Sequence, residues 1–250
     1  MKEFSSINSI QLESIELSFN GVIILSNLNL KLDKTGINCI LGPNGSGKTL
    51  TNKILSLLIK PNKGRISWNG IQIDDQKDIN DLVHLRRKIG YMSQKPLFLK
   101  KSLRENVELP LIFRGYTKEK RRLIVDEGLK EFNLLEFQNR SPQKLSLGEQ
   151  QRASFLRTII SDPQILILDE PTSSLDPANT LWFEDYMKNN IDYKTQLVVI
   201  TSHDQFQVKR IAHNISFIIR GTVVESGLVD KMANPDNSQV KKYLSGELRF

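Results

Sequence analysis

The sequence predicts an α/β fold, a mostly parallel sheet covered by helices, and three features carry that expectation. The apolar run Ile37-Asn38-Cys39-Ile40-Leu41 leads straight into Gly42-Pro43-Asn44-Gly45-Ser46-Gly47-Lys48-Thr49, and Leu50 to Leu58 continue at helical spacing. Strand, glycine-rich turn and helix therefore follow one another. Further on, Gln164-Ile165-Leu166-Ile167-Leu168 and Gln196-Leu197-Val198-Val199-Ile200 are continuous apolar runs, the pattern of strands buried on both faces. From about Ser102 to Asp162 the pattern is almost wholly helical.

The other elements follow in order. Residues 9–33 alternate through Ile10, Leu12, Ile15, Leu17 and Phe19, then Leu28, Leu30 and Leu32, enough for two or three strands. Gly64-Arg65-Ile66-Ser67-Trp68-Asn69-Gly70 reads as a strand running into a turn. Residues 80–88 read as helix and Lys88-Ile89-Gly90-Tyr91-Met92 as a strand. Ile215-Ser216-Phe217-Ile218-Ile219 and Gly221-Thr222-Val223-Val224 suggest a closing hairpin. No internal repeat, low-complexity tract or Pro/Ser-rich linker divides the 250 residues. The expectation is a single domain over 1–250: a core of 1–93 and 165–250, interrupted by a helical insertion over 94–164.

The chemistry begins at residues 42–49, which match the phosphate-cradling pattern G-x-x-x-x-G-K-[ST]. Glycines let several backbone N–H groups converge on one anion. The helix that starts there adds its positive end. Lys48 is placed for β- and γ-phosphates and Thr49 for a Mg²⁺ ion. The strand at 165–168 ends in Asp169-Glu170. Ligands of open α/β sheets lie beyond the carboxyl ends of strands, so Asp169 faces the metal and Glu170 is free to polarise a water. Alone, an apolar run ending in two acids says little; downstream of a phosphate loop it becomes a magnesium and general-base pair. His203, in Thr201-Ser202-His203-Asp204, ends another core strand and can reach the same site.

Bulk properties narrow the class. Hydrophobic residues are 39% and charged residues 25%, ordinary for a globular protein. No apolar run approaches a membrane span, and the first residues lack the apolar core of a signal peptide. The single cysteine, Cys39, sits in an apolar strand and reads as inert packing. Together these point to the cytoplasm. The formal net charge of +7 reads as a solvated surface that partly complements an anionic nucleotide. The densest basic cluster, Arg114, Lys118, Lys120, Arg121 and Arg122, reads as an exposed helix rather than a groove, so no nucleic-acid partner is expected.

Taken in order, these motifs resemble the nucleotide-binding subunit of an ATP-binding cassette (ABC) transporter, and the resemblance covers nearly the whole chain. Leu145-Ser146-Leu147-Gly148-Glu149-Gln150-Gln151-Arg152 is similar to the family signature, usually LSGGQ followed by Q-x-R. Gln94, after Gly90-Tyr91-Met92-Ser93, matches the Q-loop glutamine, Ser174-Leu175-Asp176 the D-loop, and His203 the switch histidine. Phe19, just before Gly21, stands where an aromatic stacks on adenine. Two departures stand out: Leu147 replaces the first signature glycine and Glu149 the usual glutamine, while Ser146 and Gly148 are kept.

The resemblance implies a RecA-like P-loop NTPase core with a mostly parallel sheet, an N-terminal antiparallel β-subdomain and an inserted α-helical subdomain. It implies ATP held by Phe19 and by Gly42, Pro43, Asn44, Gly45, Ser46, Gly47, Lys48 and Thr49, with Mg²⁺ held by Thr49, Gln94 and Asp169. It assigns catalysis to Glu170, His203, Gln94 and Lys48. Ser146, Gly148 and Asp176 would act across the interface of two cassettes packed head to tail as a homodimer. An integral membrane permease would dock at Gln94-Lys95-Pro96-Leu97-Phe98-Leu99, with an extracytoplasmic solute-binding protein completing an importer whose cassette sits peripherally on the cytoplasmic face of the membrane. Gln94-Lys95-Pro96, Ser102-Leu103-Arg104-Glu105-Asn106-Val107 and the tail Tyr243-Leu244-Ser245-Gly246-Glu247-Leu248 resemble importers of oxyanions of tungstate or phosphate type, with polar amino acids the next choice. Soluble ABC ATPases acting on ribosomes usually carry two cassettes, and those acting on DNA a long inserted coiled coil; neither is present. A regulator without turnover is disfavoured by the intact Lys48, Asp169, Glu170 and His203.

A stacked aromatic contributes about 0.5–1.5 kcal/mol beyond its area burial. Phe19→Ala should therefore weaken binding of a fluorescent ATP analogue several-fold, and Phe19→Tyr should leave it nearly unchanged.

Overall fold

The computed structural model describes residues 4–73 and 79–248. The strands, in chain order, are β1 (Ser9–Phe19), β2 (Val22–Asp33), β3 (Ile37–Leu41), β4 (Lys63–Trp68), β5 (Ile71–Gln72), β6 (Ile89–Met92), β7 (Ile165–Asp169), β8 (Leu197–Ser202), β9 (Asn214–Ile219) and β10 (Thr222–Leu228). The helices are α1 (Lys48–Leu55), α2 (Ile79–Arg86), α3 (Leu103–Phe113), α4 (Lys118–Glu131), α5 (Leu147–Ile159), α6 (Pro177–Asn190), α7 (Gln205–Ile211) and α8 (Ser238–Leu244).

Two sheets result. The N-terminal one has the order β2-β1-β4-β5 and is antiparallel throughout. Residues 9–33 thus hold two strands, joined by Asn20 and Gly21, both at positive φ, the twist a two-residue hairpin turn requires. The second sheet has the order β10-β9-β3-β8-β7-β6, parallel except for β10.

The continuous apolar runs are explained by this second sheet. Every residue of β3, β7 and β8 is buried. Successive side chains of a strand point to opposite faces, and two separate cores divide accordingly. Leu166 and Leu168 of β7 join Leu103 and Val107 of α3 and Phe155 of α5 on one face. Ile165 and Ile167 join Ile10, Leu12 and Leu28 of the N-terminal sheet on the other. An aromatic group of Phe132, Phe155, Phe183, Trp182 and Tyr186 fills the space between α4, α5 and α6. Cys39 is enclosed in the first core, where burial pushes its thiol pKa up, and it packs as an apolar side chain.

Helix boundaries follow local chemistry. Ser102 caps α3 and Ser146 caps α5, each with a glutamate three residues on that reaches back to the cap, the reciprocal box that satisfies free N–H groups at a helix start. Thr117 caps α4. The expected helix at 50–58 instead runs over Lys48–Leu55. Leu57 turns left-handed, with φ 56, and its carbonyl accepts from Nε and Nη2 of Arg86, at 3.0 and 2.8 Å. The helix is closed locally by the Leu57 and Leu58 N–H groups, which donate to the Ile54 and Lys53 carbonyls at 2.9 and 2.8 Å, and Arg86 takes the carbonyl just past that end.

The basic cluster lies along α3 and α4 and is largely compensated. Arg121 pairs with Glu108 at 2.7 Å, Arg122 lies 3.8 Å from Asp126, and Lys120 stands over the Tyr116 ring. Among the described residues no helix is long and apolar enough to cross a membrane.

Candidate nucleotide-binding and catalytic site

Three strand ends build this site. The first is the turn after β3. At Gly42, with φ 153, an added Cβ would stand 2.0 Å from the Ile218 carbonyl; at Gly47, with φ 105, it would stand 2.4 Å from Leu25. Gly42 is required for both space and backbone, and Gly47 for its left-handed backbone. Ser46 accepts from the Gly221 N–H at 3.0 Å, which ties the loop to the β9–β10 hairpin. A cleft of about 530 Å³ lies over residues 44–50, bounded also by Ile24, Gln94 and Glu170, a volume in the usual range for a small-molecule site.

Lys48 is buried. Its Nζ donates to the carbonyls of Gly42 and Pro43 at 2.7 and 3.0 Å and lies 3.8 Å from Glu170 Oε1. Burial pulls its pKa down, and the charges of Glu170 and Asp169 oppose that pull. Thr49 is exposed in the first turn of α1.

The second strand end is that of β7. Asp169 is 1% exposed. Its Oδ1 accepts from Thr201 Oγ1 at 2.7 Å and from Asn52 Nδ2 at 3.3 Å. Its Oδ2 is buried and makes no hydrogen bond of good geometry, although the Tyr91 hydroxyl, whose pKa burial raises, is close enough for the Asp169 charge to push it further up; a buried carboxylate oxygen so poorly partnered is costly. An orphaned carboxylate oxygen, on a strand separated only by β8 from the one that leads into the phosphate loop and its threonine hydroxyl, is the kind of donor that a hard cation takes. No group of three or more His, Cys, Asp or Glu that could hold a metal occurs among the described residues. Magnesium suits this set, since it is usually bound by one or two carboxylates together with substrate phosphates.

Glu170 follows at φ 48, a left-handed backbone that a non-glycine residue keeps only when its surroundings hold it. Its N–H donates to both the carbonyl and the hydroxyl oxygen of Thr201, each at 3.1 Å. Its Oε2 is hydrogen-bonded to His203 Nδ1 at 2.7 Å. His203 comes from the third strand end, that of β8, and its ring is half exposed. Lys48, Asp169, Glu170 and His203 are thus assembled from three strands. Gln94 lines the same cleft, and its carbonyl accepts from Gln151 Nε2 of α5 at 3.2 Å.

Phe19 closes β1 at the hairpin tip and is 45% exposed, so its ring is outside the core. Ser146, Gly148 and Asp176 do not line the cleft over the phosphate loop and form a second group. The Ser146 hydroxyl accepts from the Glu149 N–H at 3.3 Å and donates to its carboxylate at 2.8 Å. Asp176 caps α6 and accepts from the backbone and side-chain nitrogens of Asn179, both at 2.8 Å, which holds its pKa below the usual carboxylate range. Arg152 donates to Asn179 Oδ1 at 2.7 Å, so the start of α5 and the start of α6 are fastened together.

Phe98, read with Leu97 and Leu99 as a docking side chain, is half-buried and packs against the core beneath the Arg157 guanidinium, 4.8 Å from its ring centroid. Leu97 and Leu99 are exposed. Thr201 and Asn52 escaped the sequence reading. The available signals were a hydroxyl inside an apolar run and a polar residue one helical turn after Lys48.

Comparison with known proteins places this arrangement. Residues 25–173 match the model of the family described as ABC transporter. The chain is 33% identical to the phosphate import ATP-binding protein PstB 2 of Natronomonas pharaonis over 93% of this chain and 84% of that one. It is 32% identical to the choline transport ATP-binding protein OpuBA of Bacillus subtilis over 94% of this chain and 62% of that one. A dimeric ATP-binding cassette solved in a post-hydrolysis state with ADP and phosphate superposes with a TM-score of 0.77 at 29% identity, covering 88% of this chain and 98% of that one.

Leu147 occupies the first position of α5, is 49% exposed and has no positive φ. A right-handed backbone accepts any L-residue. Leu147→Gly should therefore change the maximal ATPase rate of the assembled system by less than about threefold, well under 1 kcal/mol of barrier. A hundredfold gain would show instead that leucine disables the segment.

Proposed function

We propose, from the premise that this chain belongs to the ABC transporter family and is an ATPase of that family, that it powers uptake of an inorganic oxyanion of phosphate or tungstate type. The observation that carries the catalytic reading is Glu170, held between Lys48 and His203 beside the free oxygen of Asp169. The cargo is supported by the phosphate-import relative and by the sequence segments at 102–107 and 243–248. The choline relative, almost as similar, keeps another small polar solute as the alternative.

In this reading the loop residues 42–49 bind the phosphates of ATP and Phe19 stacks on the adenine. Thr49 and Asp169, with Gln94, hold magnesium, which supplies positive charge to the β- and γ-phosphates. Lys48 turns its ammonium from the Gly42 and Pro43 carbonyls to the same phosphates. Glu170 orients the attacking water and accepts its proton. His203 fixes the Glu170 carboxylate and reaches toward the γ-phosphate, as does Gln94.

Two copies then close head to tail, so that Ser146, Gly148 and the start of α5 in one copy meet the γ-phosphate held by the other. Asp176 crosses between them. The dimeric relative with ADP and phosphate supports this arrangement. Residues 94–164 serve as an insertion between the halves 1–93 and 165–250 of the nucleotide core. Its exposed Leu97 and Leu99 dock on an integral membrane permease, which places the chain peripherally on the cytoplasmic face of the membrane. Gln94 is bonded to α5 through Gln151, so closure at the signature segment moves the docking loop. An extracytoplasmic solute-binding protein delivers the cargo, and no nucleic acid takes part.

Glu170→Gln should slow ATP hydrolysis about 10²–10⁴-fold with nucleotide binding retained, and should accumulate as an ATP-bound dimer in size-exclusion runs. Cells carrying only that variant should lose phosphate or tungstate uptake; normal uptake of both would remove this cargo, and near-normal turnover would remove Glu170 as the base.

Docking is tested apart from chemistry. Leu97→Glu with Leu99→Glu should abolish co-purification with the permease while the free chain keeps its ATP affinity, measured by titration. Undiminished co-purification would move the docking surface elsewhere.

A further inference from the structure

The Thr201 hydroxyl is fully buried and uses all its hydrogen-bonding capacity on one task. A hydroxyl has one hydrogen and two lone pairs. Here the hydrogen goes to Asp169 Oδ1 at 2.7 Å. One lone pair takes the Asn52 amide at 3.2 Å and the other the Glu170 N–H at 3.1 Å. Asn52, also fully buried, spends its second N–H on the same Asp169 oxygen, at 3.3 Å.

We infer that Thr201 and Asn52 are positioning residues for the metal and the water: they saturate one oxygen of Asp169, leave the other as its unbonded oxygen, and hold the backbone of Glu170 in its left-handed turn. This rests on the assignment of Asp169 to the metal. Saturating Oδ1 leaves Oδ2 as the oxygen available to a cation, and the carboxylate cannot rotate without breaking two bonds. Asn52 lies one helical turn beyond Lys48 on α1, so both share a face of that helix. The amide therefore fixes the helix of the phosphate loop to the acidic strand. Thr201 sits on β8, between the phosphate-loop strand β3 and the acidic strand β7. A valine there would keep nearly the same volume and lose every one of these contacts, which is why the two are not equivalent in a core.

The test uses the full chain, Mn²⁺ as the metal probe read by electron paramagnetic resonance, and a non-hydrolysable ATP analogue. Partners behind a metal ligand typically change metal affinity or activity by about 10–100-fold. Thr201→Val should weaken Mn²⁺ binding to the chain–analogue complex in that range, with the analogue affinity in EDTA unchanged. Thr201→Ser, which keeps the hydroxyl, should restore Mn²⁺ binding. Should Thr201→Val fail to fold, Asn52→Leu removes the amide leg alone and should weaken Mn²⁺ binding in the same direction. Unchanged Mn²⁺ affinity in the folded variant, or an equal loss of analogue binding in EDTA, overturns the inference. Asp169→Ala separates the two levels. If it leaves Mn²⁺ affinity untouched, the metal assignment itself fails; if it abolishes Mn²⁺ binding and Thr201→Val does not weaken it, only the positioning role fails.

Discussion

A buried lysine between two buried carboxylates is the constraint on which the rest of this molecule turns. Burial favours loss of the Lys48 proton, and Glu170 and Asp169 oppose that loss. Neither acid is near Lys48 in sequence, so the charge balance exists only if β7 ends level with the turn after β3. The strand order supplies this. β8 lies between β3 and β7, in parallel register with both, so three carboxyl ends open onto one cleft.

The polar contacts beneath the cleft extend outward from this point. Gln207 of α7, almost wholly buried, is hydrogen-bonded to Thr172, just after Glu170, and to Ser202, just before His203. Behind it, Glu184 of α6 is paired to Arg210 through two contacts of 2.6 and 2.8 Å. Removing Arg210 would leave the Glu184 carboxylate, 1% exposed, without its counter-charge. The base-bearing turn, the histidine turn and the helix capped by Asp176 are therefore one connected unit. Arg152 and Asn179 join that unit to the start of α5, and Gln151 joins α5 to Gln94. A change at any of these ends has a continuous path of side chains to the others.

The two departures in the signature segment become readable at the level of helix capping. Ser146 has an extended backbone and Leu147 is the first helical residue. Glu149 stands three residues after the cap, and its carboxylate accepts from both the N–H and the hydroxyl of Ser146. A negative charge in a first turn is favourable to the helix itself. Leucine at the first position is likewise neutral for the backbone and leaves its side chain outside.

Much of this protein was legible in its sequence because the signals are local. The loop at 42–49 needs its glycines within eight residues of each other. The runs at 37–41, 164–168 and 196–200 carry burial on both faces in their composition alone, and Asp169, Glu170 and His203 stand directly at the ends of such runs. Tertiary structure decided the rest. It determined that Arg86 takes the Leu57 carbonyl just past the end of α1; that Phe98 packs beneath Arg157 while Leu97 and Leu99 stay outside; and that Thr201 and Asn52 bind Asp169. Each of these depends on a partner tens of residues away, and Asn52 lies 117 residues from Asp169. No window of sequence holds both, and only the strand order brings them within hydrogen-bonding distance.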